Sequence, residues 1–179
     1  MKSFIRSILN RESEKEYRLK HGLTVGKNTN IYSWEGIDGN FPWLISIGNN
    51  TTISSNVTIL AHDASTCKVG CHTKIGIVSI GNNCFIGAKS IVLCDVRIGD
   101  NVIVGAGSIV THDLESNYVY AGSPARKICS FAEYQEKYKQ ENEIRPNFSD
   151  MHNWTEWKNA TADEWKKMKD ALSDSCGFI

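Results

Sequence analysis

Between residues 80 and 110 the aliphatic positions recur at a fixed interval of six: Ile80, Ile86, Val92, Ile98, Val104 and Val110. Glycine follows four of them, at Gly81, Gly87, Gly99 and Gly105. A helix repeats near 3.6 residues and a half-buried strand at 2, so a sustained period of six belongs to neither. The interval predicts a solenoid of short strands and turns, each unit sending one aliphatic side chain to the axis. Four positions after each aliphatic stands a small or β-branched residue (Cys84, Ser90, Val96, Val102, Ser108), as a narrow interior requires. The glycines are expected at the turns, where unusual backbone angles carry no Cβ penalty.

The same register starts at Val25-Gly26 and Ile31 and is interrupted by WEGIDGNFPW, with Gly36, Gly39 and Pro42 marking a loop. It resumes at Ile47-Gly48, Ile53 and Ile59. Ile59 and Ile80 stand 21 positions apart, so a segment over residues 62–79 must leave the stack. An excursion from a regular scaffold is where function usually sits. Before the solenoid, residues 1–21 read as a helical cap, with Phe4, Ile5, Ile8 and Leu9 on one face, a charged run after them, and Gly22 at the helix end. After Val110 the register stops, and the turn Ala121 to Arg126 closes a repeat domain spanning 22–128. Residues 129–179 read as a helical extension: Phe131, Tyr134 and Tyr138 share one helix face, and Pro146 breaks the chain. Thr161 and Glu164 then open a second helix carrying Trp165, Met168 and Leu172.

Composition narrows the function classes. The 179 residues suffice for one domain with appendages, which would bury roughly 70% of the unfolded surface. Lys plus Arg and Asp plus Glu balance at 20 each, so no basic field argues for nucleic acid or a membrane surface. No apolar run approaches the length of a signal core or a membrane span, which places the chain in the cytoplasm as an expectation. There the six cysteines are expected as free thiols.

The repeat, together with FIGA at residues 85–88, GAGSIVT at 105–111, AGSPAR at 121–126 and Asn56-Val57-Thr58 followed by His62, resembles the hexapeptide-repeat acyltransferases. The likeness spans about residues 22 to 135 and is to the sugar and capsular polysaccharide O-acetyltransferase type. It implies an all-β solenoid, a left-handed parallel β-helix with three units per coil, stacking Ile80 on Ile98, Ile86 on Val104 and Val92 on Val110. It further implies acetyl-CoA as co-substrate without a metal, a saccharide acceptor in polysaccharide biosynthesis, and a homotrimer with active sites between subunits. By the same resemblance His62 is the catalytic base and the Ala88 N–H stabilises the oxyanion. Ala106 and Thr111 would hold the pantetheine arm, and Arg126 with Lys127 would meet the phosphates. The chain departs from the family pattern at Cys94-Asp95, where Pro-Gly is frequent, and at His112, where Lys is.

Histidine suits the proposed step because an acceptor hydroxyl is a poor nucleophile near neutral pH, and a neutral imidazole can take its proton. The plain alternative is a histidine capping a surface loop. Asp63, its neighbour, is a weak candidate to orient the ring. Cys67, Cys71 and His72 are the residue types of a zinc site at loose spacing; two free thiols on a loop are the simpler account, and His72 could line the acceptor pocket. His21, His112 and His152 read as surface residues. Three further readings stand beside O-acetylation: N-acylation of an amino sugar or nucleotide sugar on the same scaffold, a zinc carbonic anhydrase of the same repeat, and a non-catalytic scaffold.

Overall fold

A computed structural model of the protein describes residues 12–149 and 159–179. The expected apolar face of Phe4, Ile5, Ile8 and Leu9 lies outside the described residues, as do His152, Trp154 and Trp157. The described chain divides into two units meeting at Phe131.

The first unit is a left-handed parallel β-helix whose short strands stack into three sheets, numbered here in chain order. One face holds β1 (Thr24–Val25), β3 (Ile45–Ile47), β8 (Val78–Ile80) and β11 (Val96–Ile98). A second holds β2 (Asn30–Ile31), β4 (Thr52–Ile53), β9 (Phe85–Ile86), β12 (Ile103–Val104) and β14 (Tyr118–Ala121), with β15 (Arg126–Ser130) antiparallel at its edge. The third holds β5 (Thr58–Ile59), β10 (Ile91–Val92) and β13 (Ile109–Val110). Ile80 lies over Ile98, Ile86 over Val104 and Val92 over Val110, the stacking that the resemblance implies. Ile53, Ile59, Ile86, Val92, Val104 and Val110 are wholly buried. Each such side chain contributes about 1.5–3 kcal/mol on leaving water, so the axis carries most of the fold's stability.

The glycines act differently from the turn role expected of them. Gly81, Gly87, Gly99 and Gly105 do not take positive φ; that falls two positions later, at Asn83, Lys89, Asn101 and Gly107. What glycine supplies is close approach between coils: a Cβ at Gly81 would meet the Gly99 carbonyl oxygen at 2.6 Å. Asparagine tolerates the left-handed region because its short amide bonds locally. Here the amides also bond one another up the stack, Asn28 to Asn50, Asn50 to Asn83 and Asn83 to Asn101 at 3.2 Å each, then Asn101 to Asn117 at 2.8 Å.

Two interruptions break the coil length. Equivalent corner residues are 18 apart from Asn82 to Asp100, 22 apart from Lys27 to Asn49 and 33 apart from Asn49 to Asn82. The extra residues form the loop after Ile37 and the excursion that starts at His62. Ile37 itself keeps the register, six after Ile31, and bridges Ile59 in parallel. The interruption therefore begins at Asp38, four residues later than the loop signature suggests. At the N-terminal side, α1 (Glu14–Lys20) has the capping box Ser13/Glu16 and ends at Gly22, φ +97°.

The second unit contains most of α2 (Phe131–Ile144) and α3 (Ala162–Ala171). The α3 helix opens on the Thr161/Glu164 capping box that the sequence predicts. Phe148 and Phe178 pair their backbones within this unit at 2.8 Å. Among the described residues no helix is long and apolar enough to cross a membrane.

Candidate active site

Both interruptions converge on one corner of the β-helix. Leu60, Leu93 and Thr111 immediately follow β5, β10 and β13, and with His62, Asp63, Lys74 and Cys94 they line a pocket of about 290 Å³. The chain leaves the stack here as β6 (His62–Asp63), turns through a 3-10 helix over Ala64–Val69, and returns as antiparallel β7 (Lys74–Ile75). Pairing of His62 with Ile75 and Asp63 with Lys74 fixes the root of the excursion. His62 therefore projects from a paired strand, not from a free loop.

The His62 ring is held by a residue far away in sequence. Its Nδ1 lies 2.5 Å from Asp38 Oδ2, and that oxygen also accepts the Ala61 N–H at 2.9 Å. The other carboxylate oxygen accepts the N–H groups of Asn40 at 2.9 Å and Phe41 at 3.3 Å. The Asp38 side chain is 1% exposed and that of His62 25%. Burial pushes the Asp38 carboxyl upward, but the hydrogen bonds from His62, Ala61 and Asn40 outweigh it and hold the group below its ordinary range. An ionised Asp38 accepts, so the Nδ1 proton stays on His62 and Nε2 keeps its lone pair. The Phe41 ring packs against the imidazole, centroids 5.3 Å apart. Among the described residues Nε2 has no protein partner.

Asp63, the neighbour named as an orienter, does something else. Its carboxylate accepts from Ser65 N at 2.8 Å and caps the 3-10 helix, and the Ser65 hydrogen bonds hold its carboxyl low. Asp38 escaped the sequence reading because the loop signature hides it. The six-residue step from Ile31 to Ile37 was the available signal: it places Ile37 beside Ile59, hence Asp38 beside Leu60 and within reach of His62.

The remaining sequence candidates are distributed. Thr111 shares the pocket with His62, and its hydroxyl lies 3.1 Å from His112 Nδ1. Ala88 and Ala106 occupy the preceding corner, after β9 and β12. There Gly107 N donates to Ala88 O at 2.8 Å, whereas the N–H groups of Ser55, Ala88 and Ala106 have no intrachain acceptor among the described residues. Arg126 and Lys127 lie exposed on β15. Lys127 is engaged: its ammonium sits 2.9 Å from Glu115 and 3.5 Å from the centre of the Tyr118 ring, and Glu115 raises its pKa. Arg126 contacts the Ala125 carbonyl at 3.3 Å and has no carboxylate partner among the described residues. Cys67 Sγ lies 3.4 Å from Thr73 Oγ1, and no three His, Cys, Asp or Glu side chains among the described residues converge as a metal site would require. A larger cleft of about 590 Å³ lies against α3, between Trp165, Met168 and Leu172, but it contains no comparable base and carboxylate pair.

With this geometry in hand, relatives are informative. Residues 77–112 match the family described as bacterial transferase hexapeptide (six repeats). Protein CapG of Staphylococcus aureus is 39% identical over 142 residues, spanning 76% of this chain and 83% of CapG. YvoF of Bacillus subtilis (strain 168), a proposed acetyltransferase, is 38% identical over 127 residues, spanning 71% of this chain and 72% of YvoF. Among solved structures, a maltose O-acetyltransferase from Clostridium difficile 630 superposes with a TM-score of 0.53 at 28% identity, covering 69% of this chain and 81% of that one. The chain belongs to the bacterial hexapeptide-repeat transferases and is an acetyltransferase of that family.

Proposed function

We propose that the protein transfers acetyl from acetyl-CoA to a hydroxyl of a sugar or polysaccharide precursor, with His62 as general base. The observation that carries this reading is the Asp38–His62 pair at the mouth of the excursion. Asp38 fixes the tautomer with Nε2 unprotonated, and the ring lines a pocket of mixed polarity together with Leu60, Leu93, Thr111 and Lys74. His62 takes the hydroxyl proton at Nε2 as that oxygen attacks the acetyl carbonyl, and returns it to the departing sulfur. Asp38 stabilises the imidazolium in between. Such a base is worth about 10²–10⁴ in rate. The thioester supplies an activated acetyl group and a thiolate leaving group.

The donor site rests on Ala88, Ala106, Thr111, Arg126 and Lys127. The unpaired N–H groups at Ala88 and Ala106 suit a thin amide-bearing arm, and the Ala88 N–H could receive charge developing on the carbonyl oxygen. Arg126 suits phosphate because nothing else in the described chain neutralises it. Since Ala88 and His62 stand at different corners of adjacent coils, base and donor groove would meet when two copies pack side by side. This supports a homotrimer, and we place it in the cytoplasm where acetyl-CoA is made available.

A thiol-release assay with acetyl-CoA and a panel of sugars and amino sugars tests the reading. Turnover with hydroxyl acceptors supports it, and turnover confined to amines would replace it with N-acylation.

A further inference from the structure

The α1 helix has an unusual anchor. Over Glu14–Lys20 its only buried residue is a charged one, Arg18, 4% exposed, while Tyr17 and Leu19 remain exposed. A short helix with no apolar face toward the protein is not held by hydrophobic burial, so its attachment must be explained by what Arg18 touches. Arginine remains charged in any protein environment and presents its donors in a rigid fork. Here all three nitrogens of the fork are engaged. Nε donates to the Ile37 carbonyl at 2.6 Å, Nη2 to the Glu35 carbonyl at 3.3 Å, and Nη1 to the Glu14 carbonyl at 3.2 Å and to the Glu14 carboxylate, which balances the charge.

The Glu35 and Ile37 carbonyls belong to the segment that ends in Asp38. On its other side this segment is tied to the β-helix: Ile37 bridges Ile59, and Asp38 N donates to the Ile59 carbonyl at 2.8 Å. A Cβ at Gly39 would lie 3.6 Å from Arg18 Nη2, so the guanidinium runs under the turn that Asp38 begins. Residues 35–39 are therefore clamped between the third sheet and Arg18, and the carboxylate that holds His62 emerges from inside the clamp. We propose that Arg18 is a positioning residue for acetyl transfer, aiming Asp38 at His62 Nδ1 and making α1 part of the catalytic apparatus. The inference rests on His62 acting as the base. A displacement of about 1 Å at such a group costs on the order of 10²-fold in rate, so a clamp this far from the chemistry matters.

The test is a double-mutant cycle in the full chain, with Arg18→Met, Asp38→Asn and the double variant, read by nitrogen-15 NMR of the His62 ring at about pH 8.5, where imidazole is neutral. His62→Gln assigns the signal. The wild type should hold the proton on Nδ1. Asp38→Asn should lower the Nδ1–H to Nε2–H ratio about tenfold or more. Arg18→Met should produce a similar loss, and the double variant none beyond that of Asp38→Asn. Arg18→Lys, which keeps a cation but cannot bridge both carbonyls, is read the same way if Arg18→Met does not fold. A folded Arg18 variant with the Nδ1–H tautomer intact, or an Arg18 effect that persists undiminished in the Asp38→Asn background, overturns the proposal. Retention of the tautomer in Asp38→Asn itself overturns the Asp38–His62 reading, and the proposal with it.

Discussion

Asp38→Asn is a sharper perturbation than its near-identical size suggests. The carboxylate accepts from four donors: the N–H groups of Ala61, Asn40 and Phe41, and His62 Nδ1. A carboxamide has one acceptor oxygen. If that oxygen replaces Oδ2, the NH₂ group faces Asn40 N and Phe41 N; if it replaces Oδ1, the NH₂ group faces Ala61 N and His62. In the first orientation two N–H groups oppose the NH₂ group; in the second the Ala61 N–H still does, even when His62 turns to its other tautomer and accepts at Nδ1. Each unsatisfied buried group costs about 1–3 kcal/mol, so the variant should lose about 2–5 kcal/mol. For a chain of this size that lowers the melting temperature by about 5–15 °C, measurable by calorimetry at neutral pH, and acetyl transfer should fall by at least about 100-fold. The pH dependence has a definite sign. The Asp38 carboxyl is held below its ordinary range in the fold, so its contribution is fully present above the unfolded value, near pH 3.9, and is lost as pH falls through the lower folded value. The gap between wild type and Asp38→Asn should therefore stay constant down to about pH 4 and narrow below it. A melting temperature within about 1 °C of wild type, or a gap unchanged at about pH 2, would refute the hydrogen-bond accounting.

Two other perturbations follow from the geometry. Arg126→Ala should weaken CoA binding about tenfold in titration calorimetry, the loss of one charge-assisted phosphate contact, whereas Lys127→Ala, already committed to Glu115 and Tyr118, should change it less than about threefold; equal losses would contradict that ranking. Gly36→Ala places a Cβ 2.0 Å from the Val57 carbonyl oxygen and should cost about 2–4 kcal/mol in denaturant unfolding, against about 1 kcal/mol for Gly70→Ala, where φ is +80° but nothing lies within 4 Å.

How far the sequence reveals this molecule depends on the range of the interaction. The stack was legible because one side chain in six must reach the axis, a constraint repeated from Ile80 to Val110 without exception. The excursion was legible as a break in that constraint. The role of glycine was misread, since close approach between coils and positive φ favour the same residue, and only the backbone separates them. Asp38 was hidden because its partner is 24 positions away, across a loop of irregular length. Arg18 was hidden because a basic residue in a charged helix resembles any solvated one; its burial depends on carbonyls 17 and 19 positions away.

The central claim is that His62 moves the proton, and it is tested most directly by following acetyl transfer from acetyl-CoA to a hydroxyl acceptor in wild type and His62→Ala. The account predicts that the variant loses about 10²–10⁴ in turnover while CoA affinity changes less than about threefold, because of the donor-site residues only Thr111 shares the pocket of His62. Turnover within about threefold of wild type would contradict it and move the search for the base to another residue of the same pocket.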